Sequence, residues 1–556
     1  MAEGAAGGRF RFRLGPGETR RFSLLFPYFP ISTAAPALPN AEGAEVRLER
    51  LRTEWRQRLN GWFLVDIPER KPLEMAQASR AILLCGGVSR FGEIALVGES
   101  PWKGGVWSGG ANAAMIEALD FAGEFDLAGL AIRALIASDF GASGRGAQDL
   151  DAVGQALSAI FRHAALAPDS QKQALELMAG VERGMEKLRQ GFATQAGDAL
   201  GPIPVSSDPG REMLERARPL GAALWMLAGA RAATRTAELA GLRKKSQTWD
   251  ALAGQMSQAI EPALRKAAAE AGGVLPPAFE GAEALGIVLR GERVRGRQGE
   301  RGGLDWGNVL GACLSGTLAP DDPTIERSLA EWGRWTVESL FPYPFGGDAA
   351  LGSPVLTAAI ARMRLRRGEA QAALQALYEG LLVHSSATHG MPSVANLRSR
   401  GFFPVDDPLP SAEAAAAYLG LFRDLFLYED RGEDCLWLFE GANPAWLREG
   451  RPVRVLRAPC EYGTISMRMT ADAEGGALDL EGEWRREPRY LGLKSPFGRK
   501  IRSASADGAA LEGDGARGWR LPPDARQIRL VWDEGPERAA GLSYERIIEE
   551  RLARNQ

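Results

Sequence analysis

The chain has 556 residues, 45% hydrophobic and 25% charged, with a formal net charge of −3. That is the make-up of an ordinary globular protein long enough for more than one core, with no general attraction to nucleic acid or an anionic membrane. Cys85, Cys313, Cys435 and Cys460 form no CxxC pair and His163, His384 and His389 no helical HxxxH pair, which argues against a disulfide framework, a zinc site and Ser–His catalysis; no metal or cofactor is expected.

Residues 1–45 open with alternating Phe10, Phe12 and Leu14, the turn "GPGE", then Phe22, Leu24 and Phe26. This predicts a β-hairpin, followed by the Pro/Ala-rich linker "PYFPISTAAPALPN". The start "MAEGAAGGRFRF" lacks the apolar run of a secretion signal, and no stretch approaches the roughly 18 apolar residues that span a bilayer. A cytoplasmic location is the default expectation.

Residues 46–447 read as overwhelmingly helical, with segments near 45–60, 74–86, 111–122, 126–138, 149–166, 170–190, 212–240, 245–272, 306–316, 325–340, 351–367, 369–383 and 411–428. They have no fixed repeat length, which disfavours a solenoid. Long loops rich in Gly, Trp and acid ("ESPWKGGVWSGGAN", "FGASGRGAQDLD", "GERGGLDWGN", "FPYPFGGDAALGS", "RGFFPVDDPLPSAE") alternate with short links such as "AGEFD" and "RRGEA". Helical hairpins arranged in a ring, with one elaborated rim, satisfy this rhythm. Binding groups tend to sit on loops held by such a rigid scaffold.

The stretch 144–163, "GRGAQDLDAVGQALSAIFRH", combines two signals. Leu150, Val153, Leu157, Ile160 and Ala164 recur at helical spacing and define a buried face. Gln148, Asp151 and Gln155 are spaced to share a different face. Asp149 or Asp151 can cap the helix; alternatively, amide and carboxylate groups at a helix mouth can hold a polyhydroxylated ligand.

Residues 448–556 change period. Val453 and Val455, Ile465 with Met467 and Met469, Leu478 with Leu480, Leu491 with Leu493, and Ile528 with Leu530 alternate with polar residues. Turns such as "AEGG", "SPFG" and "PPD" separate them, predicting a small antiparallel β-sandwich closed by the terminal helix "SYERIIEERLAR".

This organisation resembles the six-hairpin glycosidase-like superfamily, the (α/α)6 toroid of glucoamylases and glycogen-debranching-type hydrolases. The likeness lies in "WSGGANAAMIEALDFAGEFDLA" (107–128), "GRGAQDLDAVGQALSAIFRHAALAPD" (144–169), "LFRDLFLYEDRGEDCLWLFEGANPAWLREGRPVRV" (421–455) and the N-terminal "LGPGETRRFSLLFPYFP". It implies a mainly α fold in which residues 46–447 form the toroid, preceded by the hairpin and linker and followed by the sandwich. It also implies a funnel at the N-terminal ends of the inner helices, where an oligosaccharide stacks on aromatic rings and is hydrolysed by paired carboxyl groups. Trp102, Trp107, Trp306 and Tyr343 would be the platforms, and Asn112, Gln148 and Gln155 the polar sugar contacts. For each aromatic, core packing or loop anchoring is the alternative.

Inverting hydrolysis needs two carboxyl groups about 6.5–9.5 Å apart, one protonated and one ionised. The candidates are Asp149 and Asp151 on one rim loop with Asp406, Asp407 or Glu413 on the last; Asp305 and Asp348 are weaker. Ser411 has a plain role as the cap of the final inner helix, with Glu413 favoured in its first turn by the dipole. Relatives often carry an acid just before an inner-helix aromatic, whereas "ERARPLGAALWMLAGA" has Gly221 and alanines before Trp225. The "WSGGAN" loop likewise has glycines where relatives often place an arginine. The acid therefore sits elsewhere, with Glu212, Glu215 and Arg218 able to compensate, or the chain is a degenerate toroid that binds carbohydrate or acts as a scaffold. The basic stretch "RGERVRGRQGERGG" (290–303) lacks interleaved aromatics and reads as a solvated loop.

Overall fold

A computed structural model describes residues 15–17, 44–59, 63–85, 87–90, 93–96, 109–139, 150–194, 220–276, 279, 313–314, 316–334, 336, 338–342, 351–386, 389–392, 395–396, 410–447, 451–471, 475–494, 496–511, 513–514, 518–533 and 541–554. The N-terminal hairpin expected over Phe10–Phe26 lies outside them, apart from the turn at its tip. Residues 1–60 and 61–556 form two separate compact units. The first contains helix α1 (Ala44–Leu59), whose Val46, Leu48 and Leu51 are exposed.

In the second unit the α-helices among the described residues are, in chain order, α2 (Arg70–Cys85), α3 (Gly109–Phe121), α4 (Phe125–Asp139), α5 (Leu150–Leu166), α6 (Ser170–Thr194), α7 (Leu220–Leu239), α8 (Arg243–Glu270), α9 (Pro323–Gly333), α10 (Pro354–Arg366), α11 (Ala370–Gln375), α12 (Ala412–Asp424) and the terminal α13 (Tyr544–Arg554). Helix α11 runs on as a π-helix over Ala376–Leu382. Helices α3, α5 and α7 pack side by side in that order, while α4, α6 and α8 return outside them; α10 packs on α12, and α12 packs on both α3 and α2. The last inner helix thus meets the first hairpin and the ring closes.

Inner and outer helices differ in composition for a physical reason. Helix α5 is buried all round, from Asp151 and Val153 through Leu166, and α7 is buried over Leu220–Ala230. A helix enclosed on every side cannot carry a polar face, and small residues let its neighbours approach. Gly154 and Gly229 make the α5–α7 crossing: a Cβ on Gly154 would stand 2.0 Å from the Trp225 carbonyl oxygen, and one on Gly229 would stand 2.6 Å from the Gly154 Cα. Three short links leave inner helices through glycines at positive φ, Gly123, Gly241 and Gly368, the residue type that ends a helix in the left-handed region without strain.

The sandwich strands are β1 (Leu64–Asp66), β2 (Leu427–Asp430), β3 (Cys435–Leu438), β4 (Val453–Cys460), β5 (Gly463–Ala471), β6 (Gly475–Trp484), β7 (Tyr490–Leu493), β8 (Ile501–Ala506), β9 (Ala509–Ala510), β10 (Gly513–Asp514), β11 (Gly518–Leu521) and β12 (Gln527–Trp532). Among the described residues one sheet has the order β1-β4-β5-β6-β12-β8-β9 and the other β10-β11-β7-β3-β2. The alternation read in the sequence fixes the register: Met467 lies opposite Leu480 and Met469 opposite Leu478, all buried. Two differences appear. The pairing of β7 with β3 is parallel, and β1, β2 and β3 come from stretches whose sequence pattern suggested helix or link. The helix predicted over 411–428 stops at Asp424 because Leu427–Asp430 pairs with Cys435–Leu438 across a tight turn. Helix α9 likewise ends at Gly333, short of the predicted 340. One hydrophobic core runs from α10 and α12 into the sandwich, and a second fills the rest of the ring.

Candidate functional site

Matching ends of neighbouring inner helices meet. Arg162, near the end of α5, hydrogen-bonds Glu117, near the end of α3, and Arg362 of α10 donates to Asp424 of α12 at 2.8 Å. The inner helices are therefore parallel, and the ring has an N-terminal and a C-terminal pole. The first is the pole at which the sequence leads one to expect the ligand; the second holds a buried ion network that the sequence reading did not anticipate.

Glu117 is the hub of that network. Its carboxylate accepts from Arg162 and, at 3.1 Å, from Arg362, residues 45 and 245 positions away in the chain. Arg362 reaches it over Gly420, where a Cβ would come within 2.9 Å of the guanidinium. Arg423 donates to both Glu429 oxygens at 2.5 and 3.0 Å and to the Pro459 carbonyl at 2.9 Å. Arg431 binds Glu461 at 3.0 Å, and Arg485 donates to the carbonyls of Ala165 at 2.6 Å and Cys460 at 3.1 Å. His163 pairs with Asp120 at 2.8 Å, both almost fully enclosed. Burial by itself would raise the Glu117 carboxyl, but Arg162 and Arg362 outweigh it and hold it at about 2. Glu429, buried but gripped by Arg423, is likewise held at about 2. Since Glu429, Arg431, Glu461 and Arg485 belong to the sandwich side, the sandwich covers the C-terminal pole.

A signal for this network existed. The pairs Glu117/Asp120, Arg162/His163, Arg362/Arg366 and Arg423/Asp424 all interrupt apolar runs near inner-helix C-termini, and charges in a helix buried all round must find partners.

At the N-terminal pole, Asp151 is 9% exposed and Gln155, one turn on, 3%. The Asp151 carboxylate accepts the Ala152 N–H at 3.0 Å. Both stand at or next to the α5–α7 crossing, where the Trp225 indole N–H is buried without a hydrogen-bond partner among the described residues. On α12, Ser411 caps the helix by accepting the Ala414 N–H, and Glu413 lies half-buried in its first turn. Asn112 lies in the first turn of α3. The other candidates, Trp102, Trp107, Gln148, Asp149, Asp305, Trp306, Tyr343, Asp348, Asp406 and Asp407, lie outside the described residues, as do Glu212, Glu215 and Arg218. The described residues bring no group of three or more metal-ligating side chains together, and none of their helices is long and apolar enough to cross a membrane.

No protein-family model and no curated protein matches the chain. Among solved structures, it is similar to a GH78 family rhamnosidase of Bacillus sp. GL1, with 13% identity over 78% of this chain and 43% of that one, at a TM-score of 0.50. A wild-type glycosidase matches at 15% identity over 64% of this chain and 96% of its own, at a TM-score of 0.45. A bacterial glucoamylase complexed with acarbose matches at 15% identity over 69% and 61%, at 0.44. The closed ring of helical hairpins, joined to a β-sandwich and shared with the rhamnosidase, is the six-hairpin glycosidase-like fold.

Proposed function

We propose that this chain is a carbohydrate-active protein that hydrolyses a glycosidic bond of an oligosaccharide at the N-terminal pole of the ring. The observation that carries this reading is the placement of Asp151 and Gln155: two buried polar side chains one turn apart, at the mouth of an inner helix, at the pole opposite the sandwich. An amide and a carboxylate in such a position suit sugar hydroxyls, which both donate and accept hydrogen bonds. The rhamnosidase-like fold supports a saccharide ligand, although fold alone does not fix chemistry.

In this reading Asp149 or Asp151 is paired across the funnel with Asp407 or Glu413. One carboxyl group protonates the leaving oxygen while the other activates a water, which inverts the anomeric centre. Trp102, Trp107, Trp306 and Tyr343 supply stacking faces, and Asn112, Gln148 and Gln155 supply hydrogen bonds. The test is a hydrolysis screen against diverse oligosaccharides, with Asp151→Asn and Asp407→Asn in parallel. The expected result is activity in the wild type that falls by at least about a hundredfold in one of the two variants, the scale of a lost general acid or base. Full activity in both variants overturns the assignment of these residues. Absence of hydrolysis, with some sugars still raising the melting temperature, makes the chain a carbohydrate-binding toroid instead.

A further inference from the structure

A second feature lies near the other pole. Between the C-terminal halves of α5 and α7 and the turn after β2 is a cavity of about 10 Å³, whose lining includes Arg162, Arg231, Arg235 and Arg431 and, among the described residues, no carboxylate. A cavity of that size holds about one water-sized occupant.

The four guanidinium groups are fixed in different ways. Arg162 is held by Glu117, and Arg431 by Glu461. Arg231 donates to the carbonyls of Gly316 at 3.1 Å and Thr317 at 3.4 Å and to the Ser257 hydroxyl at 3.3 Å. Arg235 makes no hydrogen bond or ion pair among the described residues; its guanidinium carbon stands 5.8 Å from the centre of the Phe161 ring, and that of Arg431 stands 5.2 Å from the same ring. Four cations therefore surround one small space, and their carboxylate partners, Glu117 for Arg162, Glu461 for Arg431 and, at 4.0 Å, Glu261 for Arg231, sit outside it, which leaves Arg235 as the one without an ion pair among the described residues. Burial, and then Arg431 as a like-charged neighbour, push down the affinity of Arg235 for its proton, and Arg162 settles at about 10.

We propose that this arginine cluster is an anion-binding site that takes a single monatomic anion, chloride in an ordinary buffer, with the side chains of Arg231 and Arg235 giving way to admit it, and that the anion offsets the repulsion among the arginines where the ring meets the sandwich. Like charges gathered in a low-dielectric setting repel strongly, and a fixed counter-ion among them relieves that repulsion. The proposal does not depend on what the opposite pole binds.

The test compares melting temperatures of the full chain in sodium chloride and in sodium gluconate at equal ionic strength. Chloride at about ten times its dissociation constant is expected to raise the melting temperature by about 1–2 °C, and further chloride to raise it only logarithmically. Arg235→Gln is expected to abolish the rise, and Arg235→Lys to retain part of it. Crystals of the wild type soaked in bromide, which require no variant to fold, should show one anomalous peak among the four arginines. Equal melting temperatures in the two salts overturn the proposal, as does a rise that persists in Arg235→Gln. The same holds for an absent bromide peak, or for stabilisation by phosphate and not by chloride.

Discussion

Replacing Glu117 by Gln removes the one carboxylate that ties α3 to both α5 and α10, and leaves Arg162 and Arg362 without it. The magnitude follows from its carboxyl being held at about 2 instead of 4.5, a preference for the ionised form worth about 3 kcal/mol. Breaking a buried pair from one side typically costs about 3–5 kcal/mol, which is the same range. For a folding unit spanning residues 61–556, that corresponds to a fall in melting temperature of about 3 °C or somewhat more. The sign with pH is fixed by the direction. The folded carboxyl titrates below its unfolded value, so its contribution is present above about 4.5 and is lost as pH falls towards about 2. Melting curves of wild type and Glu117→Gln should therefore differ most near neutral pH and converge in acid. A neutral-pH difference below 1 °C, or one that stays constant down to pH 2.5, would refute the reasoning.

Gly154→Ala drives a Cβ into the Trp225 backbone and should cost more than about 3 kcal/mol, read as a lower melting temperature or a collapse of soluble yield. Gly254→Ala, on the exposed side of α8 with nothing within 4 Å of a new Cβ, should instead stabilise by about 0.5–1 kcal/mol; equal effects at the two sites contradict the packing account. Glu69 accepts from the Tyr378 hydroxyl, from the Trp446 indole at 2.9 Å and from the Tyr544 N–H at 2.9 Å. Glu69→Ala should speed amide exchange in the terminal helix Tyr544–Arg554 while leaving β5 and β6 protected, and unchanged exchange there refutes the tie.

The parts of this fold that were legible in the sequence are those set by local periodicity. The stripe Leu150, Val153, Leu157, Ile160 and Ala164 marked α5, and the alternation Ile465, Met467, Met469 marked β5, because each depends on neighbours within a few residues. Leu427–Asp430 was misread for the opposite reason. Its Leu and Tyr suit a helix or a strand, and pairing with Cys435–Leu438 decided between them. Closure of the ring was legible only as loop rhythm, since α12 and α2 meet across more than 300 residues of chain. The candidate site was legible at Asp151 and Gln155, whose spacing places them on one face at a helix mouth. The ion network went unread because each charge, taken singly, looks like a solvated residue. Only burial on every side of the inner helices turns Glu117, Arg162, Arg362 and Asp424 into obligatory partners.

The most direct measurement is a crystal structure of the full chain soaked with an oligosaccharide that raises its melting temperature. The account predicts density for the sugar at the N-terminal ends of the inner helices, within hydrogen-bond distance of Asp151 or Gln155. Sugar bound only on the outer helices or the sandwich, with that pole empty, would contradict it.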